Sequence, residues 1–437
     1  MLDLILRQAR LENGSIVDIG VKEGYIVEKE PSIKATAHRE LNCQAHLLSP
    51  TFVDAHFHLD AALSLGMPRF NHSGTLLEGI QIWAEQKPDL KAEVIKKRAH
   101  QLIRWAIARG TLAIRTHVDI CDPDLTAVHT LLDVKKEVAH YFTLQLVAFP
   151  QDGYFRDPKA KALLAQALDL GVDVVGGIPH FERTRDEGSR SIRALCELAA
   201  DRGLRVDMHC DETDDPNSRH VETLAAETIR LGLQGRVTGS HLTSMHSMSN
   251  DYVYKLIPLL AEAQLHAVAN PLINITLQGR QDHYPKRRGM MRVPELLNAG
   301  VNVSFGHDCV MDPWYGLGSA DMLEVAHMGA HVGQMMSLNE LRECFKAVTE
   351  YPAKTLGIEG YGIEIGAPAN LVLLHARDPI EAIKLRAPRR AVISRGHLIA
   401  EGAIPQMNID LPMADHGSAQ SVVTFLESIP YPYPDQR

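Results

Sequence analysis

The chain has 437 residues, 45% of them hydrophobic and 23% charged, so it can bury one large core plus a smaller domain and shows no disorder signature. A net charge of -9, with no basic stretch beyond short groups such as Pro285-Lys286-Arg287-Arg288, argues against nucleic-acid and anionic-membrane partners and leaves a free small molecule as the expected partner. The start, Met1-Leu2-Asp3-Leu4-Ile5-Leu6-Arg7, lacks a basic segment followed by an apolar one, no run nears the ~18 apolar residues of a membrane span, and six scattered cysteines (Cys43, Cys121, Cys196, Cys210, Cys309, Cys344) suit reduced thiols, so a cytoplasmic location is expected.

The first segment reads as a β meander. Leu4 to Ala9, Ser15 to Val21 and Tyr25 to Lys29 are separated by the turn signals Glu12-Asn13-Gly14 and Lys22-Glu23-Gly24. Such a meander needs a partner sheet. Ala369 to Leu374 and Ala391 to Ile399, with a turn at Arg395-Gly396-His397, have the same character, so the two chain ends are expected to build one small β domain.

Between them β and α patterns alternate. Eight strand candidates can be counted: Leu48 to Asp54, Leu112 to Thr116, Thr143 to Ala148, Val172 to Gly176, Arg205 to Met208, Arg236 to Ser240, His266 to Ala269 and Val301 to Phe305. Eight is the number that closes a (β/α) barrel. The intervening stretches have helical periodicity, as in Val94, Ala99, Leu102, Ile103 and Ala106.

The first strand runs into His56-Phe57-His58-Leu59-Asp60. Alternate residues of an extended chain share a face, so His56 and His58 can offer two imidazoles to one metal. Other reactive residue types also fall at or just after strand ends, where such a barrel carries its chemistry. Strand two gives His117 and Asp119, strand three Gln151, strand five His209 and Glu212, strand six His241, and strand eight His307 and Asp308. A lone histidine among these would be read as a structural one; their placement on one rim reverses that reading.

Longer motifs carry a family resemblance. His56 to Asp60, Asn71 to Gly79, Arg115-Thr116-His117-Val118-Asp119, Ala148-Phe149-Pro150-Gln151, His209-Cys210-Asp211-Glu212, Pro285 to Gly289 and Asp312-Pro313-Trp314-Tyr315 resemble bacterial cytosine deaminase of the amidohydrolase superfamily over nearly the whole chain. The resemblance implies a distorted (β/α)8 TIM barrel at 50–365 and a β-sandwich from 1–49 with 366–437, in agreement with the strand count. It implies that His56, His58, His209 and Asp308 hold one divalent metal per chain, Fe(II) or Zn(II), both of which suit imidazole and carboxylate. A second metal would need a bridging residue near strand four, and Gly176-Gly177-Ile178-Pro179-His180 offers no lysine; the nearby Glu182 is read as structural. A homo-oligomer acting on a nucleobase is expected.

The implied reaction is hydrolytic deamination. Ammonia cannot leave an aromatic C4 until water has added, and a metal makes water nucleophilic by lowering its pKa from about 15.7 toward ~7. Asp308 and His241 are then expected to take that proton, and Glu212 to protonate ring N3 and pass a proton to the leaving amine. Gln151 offers a donor and an acceptor to the pyrimidine edge, with Trp314, Phe149 and Leu76 as apolar walls.

One residue departs from the family pattern. Asp308 is followed by Cys309, where cytosine deaminases commonly carry a second aspartate. If this wall faces C5 of the ring, losing the carboxylate opens an apolar space for a 5-substituent, and Met311 could shape the same wall. The leading expectation is therefore a deaminase of 5-methylcytosine, also turning over 5-fluorocytosine. An ordinary cytosine or isoguanine deaminase comes second, a creatinine- or triazine-type deaminase third, and a non-catalytic scaffold last, because all four ligands are present.

Overall fold

The computed structural model describes residues 1–403 and the backbone of two further strands, Met407–Pro412 and Ser418–Val423; the remainder of the expected 366–437 segment lies outside the described residues. The chain divides into two compact units, Met1–Thr51 with Gly362–Arg437, and Phe52–Tyr361.

The unit from the chain ends contains two four-stranded sheets and a separate hairpin. The first sheet runs Tyr25–Glu30, Ile16–Lys22, Leu2–Arg10 and Ala37–Asn42, the last pairing parallel to Leu2–Arg10. Ala37–Asn42 escaped the sequence reading because its side chains are mostly exposed and show no apolar alternation. The second sheet is antiparallel throughout, in the order His397–Glu401, Arg389–Ser394, Leu371–Leu374, Leu48–Pro50. Leu4, Leu6, Ile19 and Val21 from the first sheet and Leu48, Leu371, Leu373 and Ile393 from the second share one buried cluster, so the sheets pack as a sandwich.

Leu48 to Asp54 is not one strand. Leu48–Pro50 pairs with Leu371–Leu374 in the sandwich, and the barrel strand begins at Phe52. The break follows Pro50, which has no N–H to extend an antiparallel ladder.

The other unit is the expected barrel. Eight parallel strands follow one another in chain order: β1 (Phe52–Phe57), β2 (Thr111–Asp119), β3 (Thr143–Phe149), β4 (Val174–Gly177), β5 (Arg205–Cys210), β6 (Val237–His241), β7 (His266–Ala269) and β8 (Asn302–Phe305). Their residues are almost all buried, as strands covered by helices must be. The helix Ala92–Ala108 shows how the cover forms: Ile95, Ala99, Leu102, Ile103 and Ala106 recur on one face and are its buried apolar residues. The helix Arg185–Arg202 is bounded by chemistry, with Thr184 accepting from the Glu187 N–H and Gly203 closing the C-terminus at φ +67°.

The ring closes between β8 and β1 over a short seam. The Asp308 N–H donates to the His56 carbonyl at 2.9 Å, and the His58 N–H to the Asp308 carbonyl at 3.1 Å. Gly306 makes this approach possible, since a Cβ there would stand 2.4 Å from Asn270 Oδ1 and 2.8 Å from His56 Cβ. The Asp54 carboxylate reinforces the seam by accepting from the His56 and His307 N–H groups. Among the described residues no helix is long and apolar enough to cross a membrane.

Candidate active site

The pleat of β1 turns His56 into the barrel mouth and its continuation brings in His58; β5 adds His209, β6 adds His241, and the turn after β8 adds Asp308. His58 Nε2 and His209 Nε2 lie 3.0 Å apart. Asp308 Oδ1 is 3.5 Å from His56 Nε2 and 3.4 Å from His58 Nε2. Ligand atoms of His56, His58 and His209 lie within 4.8 Å of one another, as do those of His56, His241 and Asp308. Asp308 and His241 hold this geometry at φ +68° and +73°, a left-handed backbone that is costly for residues with side chains.

The electrostatics favour a cation. Burial, then the surrounding imidazoles, pushes the His56 and His209 rings well below the ordinary histidine value, and burial alone brings His58 to about 3. All three are therefore neutral, as a metal ligand must be. Burial, then Glu212, raises the Asp308 carboxyl, and a cation would reverse that shift. Both nitrogens of His56 and Nδ1 of His209 are buried without a hydrogen-bond partner among the described residues. Three neutral imidazoles with lone pairs to spare, converging beside a carboxylate, fit a divalent metal.

Ligand atoms of a second group, His56, His117 and Asp207, also lie within 4.8 Å of one another. It fits a metal poorly, because Asp207 already receives Arg115 Nη1 at 2.8 Å and Ser240 Oγ at 2.7 Å. An ion there would face the guanidinium cation.

Several of the remaining expected residues surround a cavity of about 580 Å³. Glu212 lines it, buried, with Oε1 3.4 Å from His241 Nδ1, and burial lifts its carboxyl to about 8. Gln151, Leu76, Cys309 and Trp314 line the same space. Phe149 does not reach it: its ring stacks on His209 with centroids 4.1 Å apart, supporting that imidazole from behind. Met311 is likewise absent from the lining. Asp119 is tied up elsewhere, accepting from Trp83 Nε1 at 2.8 Å and paired with Lys87 Nζ at 2.9 Å, which pins the helix Leu76–Gln86 beside the mouth. Gly79 on that helix leaves room for the Trp314 indole, where a Cβ would come within 2.3 Å. Glu182 accepts from the N–H groups of Tyr154, Phe155 and Arg156 and so holds the loop after β3. His307 Nδ1 donates to the Cys309 carbonyl, 2.9 Å away, and thereby braces the turn that carries Asp308.

Two residues at the mouth escaped the sequence reading. Asn270 follows β7 and Asn274 sits four residues on, in the helix Pro271–Leu277; both present Nδ2 to His241 Nδ1, at 3.3 and 3.0 Å. The signal was an Asn-x-x-x-Asn pair at a strand end, which puts both residues on one face of the helix start.

A model of the Amidohydrolase family matches residues 39–404. The crystal structure of 5-methylcytosine deaminase from Klebsiella pneumoniae liganded with 5-fluorocytosine superposes with a TM-score of 0.89 at 39% identity, covering 92% of this chain and 98% of that one. The N-isopropylammelide isopropyl amidohydrolase of Pseudomonas sp. strain ADP is 32% identical over 92% of this chain and 98% of its own length. The pterin deaminase of Rhizobium rhizogenes is 30% identical over 87% of each chain.

Proposed function

We propose, from the premise that this chain belongs to the amidohydrolase family, that it hydrolytically deaminates a free cytosine-like base and favours one substituted at C5. The observation that carries this reading is the cavity wall: Cys309, a small uncharged side chain, lines the space shared by Glu212, Gln151 and Trp314. The likeness to a 5-methylcytosine deaminase at 39% identity supports it.

His56, His58, His209 and Asp308 would hold one divalent metal, which when bound supplies Lewis-acid activation of water. Asp308 takes the proton from the attacking water, and the new C–O bond forms at C4 while charge moves onto N3. Glu212, whose carboxyl burial holds above its ordinary value in the metal-free chain, protonates N3, then takes up the proton of the new C4 hydroxyl as the C4=O bond forms and passes it to the amine, and the proton held by Asp308 restores the acid. The C4–N bond breaks and ammonia leaves. Gln151 offers its amide to the polar edge of the ring, and Trp314 covers a face.

The likeness to a pterin deaminase at 30% identity favours a second reading: a larger amidine heterocycle, the class to which pterins belong, is the alternative substrate.

Ammonia release over a panel of free bases tests both. On the leading reading 5-methylcytosine or 5-fluorocytosine is turned over at least as efficiently as cytosine, and Cys309→Asp moves the kcat/KM ratio toward cytosine by roughly 10–200-fold, the effect of one methyl in a fitted pocket. A wild-type preference for cytosine of tenfold or more (about 1.4 kcal/mol), or a ratio unmoved by the substitution, removes Cys309 as the determinant. A pterin outpacing every pyrimidine establishes the alternative.

A further inference from the structure

We propose that Asn274 is a positioning residue that fixes the tautomer of His241, leaving Nδ1 bare and placing the ring hydrogen on Nε2. The consequence for turnover rests on the deaminase reading; the tautomer itself does not.

The orientation of an asparagine amide is settled by its partners. The Asn270 backbone N–H lies 3.2 Å from Asn274 Oδ1, and an N–H can only donate, so the atom facing it is the carbonyl oxygen. The opposite end of the amide is therefore the NH2 group, and it lies 3.0 Å from His241 Nδ1. An amide NH2 also only donates. His241 Nδ1 must accept, so it carries the lone pair, and the neutral ring carries its hydrogen on Nε2.

The alternative tautomer would set an N–H against the Asn274 NH2 between two buried side chains, His241 and Asn274. Two facing donors there would each lose a hydrogen bond. Glu212 Oε1, 3.4 Å from the same Nδ1, is compatible with the bare nitrogen when its carboxyl is protonated, since the hydroxyl can donate to it. Asn270 Nδ2 lies 3.3 Å from Nδ1 and 3.5 Å from Nε2, closer to the bare nitrogen, to which it too can donate, while His56 and His209 meet the ring through its faces and edge, with centroids 4.8 and 5.0 Å away.

His241 Nε2 lies 3.7 Å from Asp308 Oδ2. With hydrogen on Nε2, His241 stands opposite Asp308 as a hydrogen-bond donor. It steadies negative charge there and does not compete for the proton of the attacking water, which goes to Asp308 alone. This narrows the expectation that both residues share that proton.

The test is long-range ¹H–¹⁵N correlation on zinc-loaded, full-length protein with ¹⁵N-labelled histidine, the His241 signals being assigned by their loss in His241→Gln. The expected pattern is a protonated Nε2 and an unprotonated Nδ1. Asn274→Asp keeps the side chain's shape and its acceptor for the Asn270 N–H but turns an oxygen toward Nδ1, so the proton should move to Nδ1. Zinc content should stay at the wild-type level while kcat for ammonia release falls by about 10–100-fold, the usual effect of removing a group that orients a site residue, with KM nearly unchanged. If Asn274→Asp does not fold, Asn274→Ala should show both tautomers. A wild-type signal with hydrogen on Nδ1, or a substitution at Asn274 that leaves the His241 pattern unmoved, overturns the proposal. The wild-type pattern as described, in a protein that releases ammonia from no base, supports the tautomer and refutes the deaminase reading.

Discussion

β2 and β5 each place two polar side chains in the barrel interior, one pleat apart: Arg115 below His117, and Asp207 below His209. The two layers are separated by about 7 Å and are treated in opposite ways. In the lower layer every guanidinium arm of Arg115 is engaged, Nε with Gln145 at 2.7 Å, Nη1 with Asp207 at 2.8 Å and Nη2 with the Thr355 carbonyl at 2.9 Å. In the upper layer His56 and His117 have no partner for either ring nitrogen among the described residues. Both layers are buried, so exposure cannot explain the difference. A finished hydrogen-bond network marks structure, while buried groups left unfinished at one spot mark a place reserved for something that is not protein.

The strongest challenge to this contrast is to exchange a residue in each layer. In the upper one His209→Asn should abolish both metal content and activity, whereas Glu212→Gln should retain the metal and lose about 10²–10⁴-fold in kcat; elemental analysis with steady-state rates separates the two. A Glu212→Gln protein near the wild-type rate would remove its role as the acid. In the lower layer Arg115→Leu leaves the buried Asp207 without its cationic partner, which should cost about 3–5 kcal/mol of stability in urea unfolding. A loss below about 1 kcal/mol would mean that the lower network is not the structural element its geometry indicates.

Ser240→Ala sharpens the comparison on a smaller scale. It removes one hydrogen bond, 2.7 Å long, to the same carboxylate, and should cost about 1.5–3 kcal/mol with metal content unchanged. A drop in metal content would show that the layers are coupled through β6.

The smallest effect is on pH dependence. Burial raises Glu212 to about 8 in the folded chain, so between the ordinary carboxyl value and 8 the metal-free folded state binds more protons than the unfolded one. Its stability should therefore fall as pH rises through that window and level off above it. Glu212→Gln should flatten part of the slope. Asp54 and Asp60, each raised to about 7 by burial, and Asp308, also raised, contribute in the same direction, while the neutral buried rings of His56, His58 and His209 contribute in the opposite one below the ordinary histidine value. Metal-free wild type and variant with identical slopes in denaturant titrations from pH 5 to 9 would show that Glu212 is not held protonated by burial.

Much of this contrast was visible in the amino-acid order. The alternation of His56 and His58 at a strand end, and the recurrence of reactive residues after later strands, placed the mouth because strand periodicity and barrel topology are local rules. Three features were not legible. The division of Leu48 to Asp54 between two sheets depends on a single missing N–H at Pro50, which sequence pattern alone reads as a kink at most. The parallel partner Ala37–Asn42 is held by its backbone and leaves no apolar signature. Phe149 could not be assigned to wall or support, because whether an aromatic faces a ligand or a ligand's imidazole depends on which way the loop after β3 turns.

The seam between β8 and β1 gives the site a kinetic property. The Asp308 backbone makes both cross-strand hydrogen bonds of that seam, and its side chain stands within 3.5 Å of two of the imidazoles. One residue thus serves as the latch of the ring and as a wall of the candidate metal site, so opening the seam at this point disturbs the site. Were an ion held there, seam opening would require its release, and the ion would suppress opening by mass action. The amide hydrogens of His58 and Asp308 should accordingly exchange with solvent slowly in the loaded protein and much faster after chelation, while those of β3 and β5 change little. Equal exchange in the two states would separate the latch from the ion.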